Sequence, residues 1–165
     1  MKRIFDPFIF SAMVVLSAAA QKIHDRAPEF SGASHEGKTI RLSDFAGKVV
    51  LLDFWASWCG PCKQELPFLI EQYSLNKDSG FVVHAVNVDK EAKNMNKFLA
   101  GLAVKPEFPI VHDPQSKICP LYELEGMPTS VLIDRKGIIR FRHVGFKPET
   151  KGDLVKEINA LVREK

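Results

Sequence analysis

Residues 49–67, VVLLDFWASWCGPCKQELP, leave this chain few ways to fold. Val49 to Leu52 is an unbroken apolar run, continued by Asp53, Phe54 and Trp55. A run this short, rich in β-branched and aromatic residues, reads as a strand buried on both faces. From Lys63 to Leu75 the apolar residues fall at helical spacing, at Leu66, Leu69, Ile70 and Tyr73. Cys59 and Cys62 lie between these stretches, separated by Gly60-Pro61. The two thiols therefore sit where a buried strand ends and a helix begins. Pro61 suits the first helical turn, because the N–H it lacks would have had no helical partner.

That location has chemical consequences. A helix N-terminus carries unpaired N–H groups and a positive partial charge, which favour an anion such as a thiolate. A cysteine placed there drops from about 8.5 to about 7 or lower. Cys59, the outer sulfur, is expected to gain most and to remain reachable, while Cys62 lies a turn inside. The expectation is a nucleophile, Cys59, that attacks a disulfide, and a resolving thiol, Cys62, that displaces the resulting mixed disulfide. The same spacing also occurs as half of a zinc site or as a merely structural pair. Against zinc, only Cys119 is left over, and there is no second C-x-x-C and no H-x-x-x-H.

WCGPC after a buried strand resembles the active site of thioredoxins. Its continuation CKQELP, with Glu65 and Pro67, resembles the C-x-x-E-x-P pattern of the extracytoplasmic thioredoxin-like group of TlpA, ResA and CcmG. The resemblance covers roughly residues 27–162, in the order of elements as well as in motif. It implies a thioredoxin fold with an N-terminal β-hairpin extension and a central insertion. It also implies a redox-active Cys59–Cys62 disulfide with no separate cofactor.

At 165 residues, 45% hydrophobic and 26% charged, the chain suits one globular domain with a sizeable core. The formal net charge of +3 is mild and forms no basic stripe, so nucleic acid is not an expected partner. Three cysteines are too few for a disulfide scaffold. Residues 1–20 read differently from the rest. Lys2-Arg3 make a basic start, Phe8 to Ala20 is almost wholly apolar, and Ala18-Ala19-Ala20 offers a cleavage site. This is the layout of a secretory signal peptide, with an uncleaved membrane anchor as the alternative. No cysteine follows, which argues against a lipid anchor. The expected organisation is a signal or anchor over 1–20 and a thioredoxin-like domain over 21–165, placed in the periplasm or another extracytoplasmic space.

Along the domain, Gln21 to Arg26 reads as a flexible lead-in. Phe30 to Gly32 and Lys38 to Leu42 read as a hairpin. Phe81 to Val88 is a second buried strand, and Glu91 to Gly101 a helix with Met95, Phe98 and Leu99 inward. Ile110-Val111 reads as a short strand inside the expected insertion, residues 89–115. Gln115 to Leu124 reads as a short helix started or interrupted at Pro120. Thr129 to Asp134 and Ile138 to His143 form a hairpin around Arg135-Lys136-Gly137, and Glu149 to Val162 is the closing helix. The sum is an α/β domain, a central mixed β-sheet flanked by helices.

Further residues bear on mechanism. Met127-Pro128 precedes the hairpin strand. An ordinary strand-entry proline is one reading, but the resemblance implies a cis proline packed beside the dithiol, leaving the backbone of Met127 to pair with an incoming peptide. Asp53 lies inside the apolar strand, where desolvation raises a carboxyl pKa. It is a candidate acceptor for the Cys62 proton, with a structural acid as the alternative. Glutamate-bearing relatives in this group place their acid just after the next strand, where this chain has Lys90, with Glu91 adjacent. Trp58, Gly60, Pro61, Val144 and Gly145 match positions that line the substrate surface in thioredoxins. Cys119 reads as a small core residue. His24, His35, His84, His112 and His143 show no metal-site spacing, so no metal is expected.

Three function classes follow. The first is a thiol–disulfide oxidoreductase acting on protein disulfides, supplied with electrons by a membrane thiol conduit and active as a monomer. Apocytochrome c cysteines or misoxidised proteins are its implied clients. The Gly60-Pro61 dipeptide is that of thioredoxin, which sits at about −270 mV and favours reduction. The second is a peroxiredoxin-like peroxide reductase, which would call for T-x-x-C in place of Ala56 to Cys59. The third is a Sco-like copper-binding module, which would need C-x-x-x-C and a partner histidine.

Overall fold

The computed structural model describes residues 23–164. The expected signal or anchor, residues 1–20, lies outside them. Two antiparallel strands, β1 (Ser31–Ala33) and β2 (Thr39–Arg41), form an N-terminal hairpin. The main sheet contains β3 (Val49–Trp55), β4 (Phe81–Asn87), β5 (Ile110–His112), β6 (Thr129–Ile133) and β7 (Ile139–Val144). Its strand order is β5-β4-β3-β6-β7. Strands β3, β4 and β5 run parallel, and β6 and β7 antiparallel to their neighbours. The helices are α1 (Cys62–Asn76), α2 (Ala92–Gly101) and α3 (Lys151–Arg163). This is the expected mixed sheet with flanking helices.

Every residue of β3 and β4 is buried, as their apolar runs require of central strands covered on both faces. The two faces bury different partners. Val49, Leu51 and Trp55 pack with Leu66 and Leu69 of α1, Met95 and Leu99 of α2, and Leu154, Ile158 and Leu161 of α3. Val50, Leu52 and Phe54 pack instead with Ala27, Phe30, Leu42, Ile118 and Tyr122. The three α-helices thus feed one face. The other is roofed by the N-terminal hairpin and the segment before β6.

Two expectations are corrected here. Residues 24–27 are not a loose lead-in. His24 N–H donates to Ile139 O (2.7 Å), Ile139 N–H to Asp25 O (2.9 Å) and Ala27 N–H to Gly137 O (2.8 Å), so this segment lies along the edge strand β7. At the opposite edge, His35 N–H donates to Ile110 O (2.9 Å) and Ser34 bridges Val111. Both sheet edges are therefore paired, which removes a template for aggregation. The hairpin crosses β5 so closely that a Cβ on Gly32 would stand 2.3 Å from Val111 Cγ1. Second, Gln115 to Leu124 forms only a 3-10 turn, Cys119–Tyr122. The Asp113 carboxylate takes the N–H groups of Lys117 (3.0 Å) and Ile118 (2.8 Å), and Pro120 has no N–H to give. Glu123 then turns left-handed at φ 46°, which ends the segment.

His84 on β4 faces the hairpin roof. Its ring lies 5.1 Å from Phe30 and 5.2 Å from Phe45, and neither ring nitrogen has a hydrogen-bond partner among the described residues. Burial lowers its pKa from 6.5 to about 4. The unfolded chain takes up this proton near the ordinary histidine value, whereas the folded chain refuses it until about pH 4. His84 therefore costs stability progressively as pH falls through that window, by about 3 kcal/mol in total. His84→Phe is expected to remove this component of acid sensitivity. Urea midpoints near pH 4 and near pH 7 measure it, and an unchanged difference between them would refute the assignment.

Candidate functional site: a disulfide at a helix start above two buried acids

Strand β3 ends at Trp55 and delivers the chain through Ala56-Ser57-Trp58 to the cysteines. Asp89, just past β4, anchors this turn: its carboxylate accepts from Ser57 N–H (3.0 Å), Ser57 Oγ–H (2.8 Å) and Asn87 Nδ2–H (2.8 Å). Cys59 and Cys62 form a disulfide with Cα atoms 5.3 Å apart. Helix α1 begins at Cys62, and the Cys62 N–H donates to Cys59 Sγ (3.2 Å). An unpaired N–H of the first turn thus points at the outer sulfur, the electrostatic arrangement expected at a helix start. Both cysteines are buried, Cys62 more deeply at 1% exposure against 5% for Cys59. Trp58 beside them is 67% exposed.

The Met127–Pro128 peptide is cis, as expected. Pro128 O accepts from Gly145 N–H (2.7 Å), and Gly145 has φ +78°, which glycine adopts without strain. Met127 and Phe146 pack in the cluster that contains both cysteines. Val144, paired across the hairpin with Thr129, is half exposed. Trp58 and Val144 are both exposed large apolar side chains, and Val144 Cγ1 lies over Gly126 in the loop before β6. Phe146, whose ring lies 5.6 Å from Phe68, was not singled out from the sequence. An isolated aromatic two residues after an exposed valine carries no signal until the fold folds it back.

Asp53 projects from β3 onto the helix-covered face and is 1% exposed. Its Oδ1 has no hydrogen-bond partner among the described residues. Its pKa is raised well above the ordinary carboxyl value, first by desolvation and then by the neighbouring Glu65 carboxylate. Glu65, one turn into α1, is the residue that the sequence reading passed over except as a motif match. It is 2% exposed, its Oε1 accepts from Ser130 Oγ–H (2.6 Å), and its Oε2 has no partner among the described residues. Desolvation raises its pKa to about 7 against the lowering effect of the Ser130 bond. The signal was available: Glu65 lies between Cys62 and Leu66/Leu69 on one helical face, so an inward apolar stripe carries an acid. Glu91, by contrast, is exposed and pairs with Lys93 (2.6 Å), and Lys90 is exposed. Besides Asp89, whose oxygens are taken by Ser57 and Asn87, the buried acids at this site are Asp53 and Glu65. Cys119 is partly buried between the two packing clusters. Among the described residues no group of three or more His, Cys, Asp or Glu side chains could hold a metal ion, and no helix is long and apolar enough to cross a membrane.

The AhpC/TSA family matches residues 23–142. The chain belongs to that family. Within it the similarity runs to thiol-disulfide oxidoreductases. ResA of Geobacillus kaustophilus, so described, is 34% identical over 142 residues, covering 86% of this chain and 79% of that one. A Chlorobium tepidum structure described as a thiol:disulfide interchange protein DsbE superposes with a TM-score of 0.82 at 43% identity, covering 87% of this chain and 99% of the other. The exposed lipoprotein thioredoxin of Streptococcus pneumoniae gives a TM-score of 0.69 at 32% identity, over 81% of this chain and all of the other. The thioredoxin-like fold and the cysteine pair at bonding distance are common ground for a thiol–disulfide oxidoreductase.

Proposed function

We propose that this chain is an extracytoplasmic thiol–disulfide oxidoreductase that reduces protein disulfides, with Cys59 as nucleophile and Cys62 as resolving thiol. The observation that carries the reading is the disulfide at the start of α1, with a helix N–H on the outer sulfur, together with two buried acids, Asp53 in β3 and Glu65 one helical turn past Cys62, each with one oxygen that lacks a hydrogen-bond partner among the described residues. In the reduced protein the Cys59 thiolate attacks a client disulfide. One client sulfur leaves and a Cys59–client disulfide forms. The Cys62 thiol passes its proton to the Asp53–Glu65 pair and attacks Cys59, the Cys59–client bond breaks, and the Cys59–Cys62 bond closes. The client gains two electrons and, from solvent, two protons; the cysteine pair loses two electrons. Gly60-Pro61 between the cysteines supports a reducing poise, near that of thioredoxin.

Substrate contact is assigned to Trp58, Gly60, Pro61, Met127, Pro128, Val144 and Gly145, which match positions lining the substrate surface in thioredoxins. Clients are proteins with exposed disulfides, among them apocytochrome c cysteines, and a membrane thiol conduit returns the cysteine pair to its reduced form. The protein works as a monomer without a separate cofactor. The leader-like residues 1–20 and the likeness to an exposed lipoprotein thioredoxin support an extracytoplasmic site of action.

The family name admits peroxide reduction as the second reading. Dithiothreitol-driven reduction of insulin, set beside peroxide consumption with the same electron source, separates them. Insulin turnover with no peroxide turnover is expected, and the reverse would overturn the assignment. For location, the chain isolated from its native host is expected to begin near Gln21; soluble cytoplasmic protein retaining Met1 would contradict export.

A further inference from the structure

Strand register puts an unusual row of side chains beneath the disulfide. On the helix-covered face, Leu51, Leu132 and Phe141 stand opposite one another across β3, β6 and β7 and form an apolar row. Two residues nearer the disulfide, the same three strands present Asp53, Ser130 and His143. Two members of this row each meet a carboxylate from an overlying helix. Ser130 Oγ–H donates to Glu65 of α1 (2.6 Å), and His143 Nε2–H donates to Glu157 of α3 (2.5 Å). A polar row inside an apolar face costs free energy wherever its groups lack hydrogen bonds, as Asp53 Oδ1 and Glu65 Oε2 do among the described residues.

Its exposure is graded. Asp53, Glu65 and Ser130 are 1%, 2% and 1% exposed, whereas the side chains of His143 and Glu157 are 25% and 20% exposed. A proton on the carboxyl pair has no direct contact with water, but the far end of the row does. Directly opposed residues on antiparallel strands have Cβ atoms about 5 Å apart, a separation that a hydroxyl rotation or one bridging water can span.

We propose that Ser130 and His143, with Glu157 holding the imidazole, form the proton port of the Asp53–Glu65 pair, connecting it to solvent. The inference rests on the reading of that pair as the acceptor of the Cys62 proton. At resolution the pair gains one proton from Cys62. That proton moves through the Ser130 hydroxyl to His143, which releases one to water. When a reductant reopens the disulfide, the same route runs inward and reprotonates the Cys62 thiolate. His143 touches no sulfur and acts through Ser130 and the acids, so it is a positioning residue for proton transfer.

The test is a single turnover of reduced protein with an aromatic disulfide whose leaving thiolates stay ionised, in weak buffer containing an indicator dye. Absorbance of the second thiolate reports resolution, and the dye reports the proton leaving the protein. In the unaltered protein the two signals coincide. In His143→Gln, which keeps a donor for Glu157 but carries no proton, thiolate release keeps its rate. Proton release then trails by about tenfold or more, and free imidazole in the buffer restores it. Glu157→Gln is expected to lag in the same direction and less. Coincident signals in His143→Gln would overturn the port, as would a lag that imidazole does not rescue. Asp53→Asn run in parallel keeps the two levels apart. Slower thiolate release in that variant supports the acceptor reading whatever His143 does, and unchanged release removes the acceptor reading itself.

Discussion

Cys59→Ser is expected to abolish insulin reduction, whereas Cys119→Ser retains most of it. Serine keeps the size of the side chain but offers no thiolate, and thiolate is the attacking species. The structure gives this expectation its asymmetry. The Cys62 N–H is directed at Cys59 Sγ, and Cys62 is the more deeply covered of the two. In the reduced protein Cys59 should therefore alkylate with iodoacetamide well before Cys62, with an apparent pKa below that of a free thiol. Cys119 lies apart from this chemistry, and burial raises its pKa, which disfavours its thiolate. Faster alkylation of Cys62 than of Cys59 would reverse the assigned roles.

Asp53→Asn is expected to leave the first attack intact and to slow release of the mixed disulfide by about 10²-fold, the scale of a lost general base. The asparagine amide cannot accept the Cys62 proton. The same change should stabilise the fold, because an unpaired buried acid is replaced by a neutral group. The stabilisation has a predictable pH dependence. The unfolded chain ionises Asp53 in the ordinary carboxyl range, while the folded chain holds the proton to much higher pH. Between those limits the folded state binds more protons, so Asp53 lowers stability as pH rises. The gain from Asp53→Asn should accordingly grow from about pH 4 through neutrality, opposite in sign to the His84 effect. Urea unfolding across pH and single-turnover kinetics check the two halves. Unchanged resolution with lower stability would make Asp53 a structural acid.

Much of this architecture was legible in the chain because the informative stretches are locally self-sufficient. VVLLDFW can only be a buried strand, and the hairpin around Arg135-Lys136-Gly137 carries its turn within it. The cysteine pair announced both its position and its chemistry. What the chain withheld depends on contacts distant in sequence. The pairing of residues 24–27 with β7 joins segments more than a hundred residues apart. The failure of Gln115–Leu124 to form an α-helix reflects the Asp113 carboxylate capturing two N–H groups. Ser130 and His143 look like ordinary strand residues until register sets them beside Asp53. Glu65 was visible as a letter in a motif, yet its meaning came from the burial that leaves one of its oxygens unpartnered.

The central claim, that Cys59 carries the client and Cys62 releases it, is tested most directly by trapping. Reduced Cys62→Ala is mixed with a protein disulfide, quenched with acid and mapped by mass spectrometry. The account predicts a stable disulfide joining the client to Cys59, reversed by dithiothreitol and absent in Cys59→Ser. Client bound through Cys119, or no adduct from Cys62→Ala while Cys59→Ala accumulates one through Cys62, would contradict it.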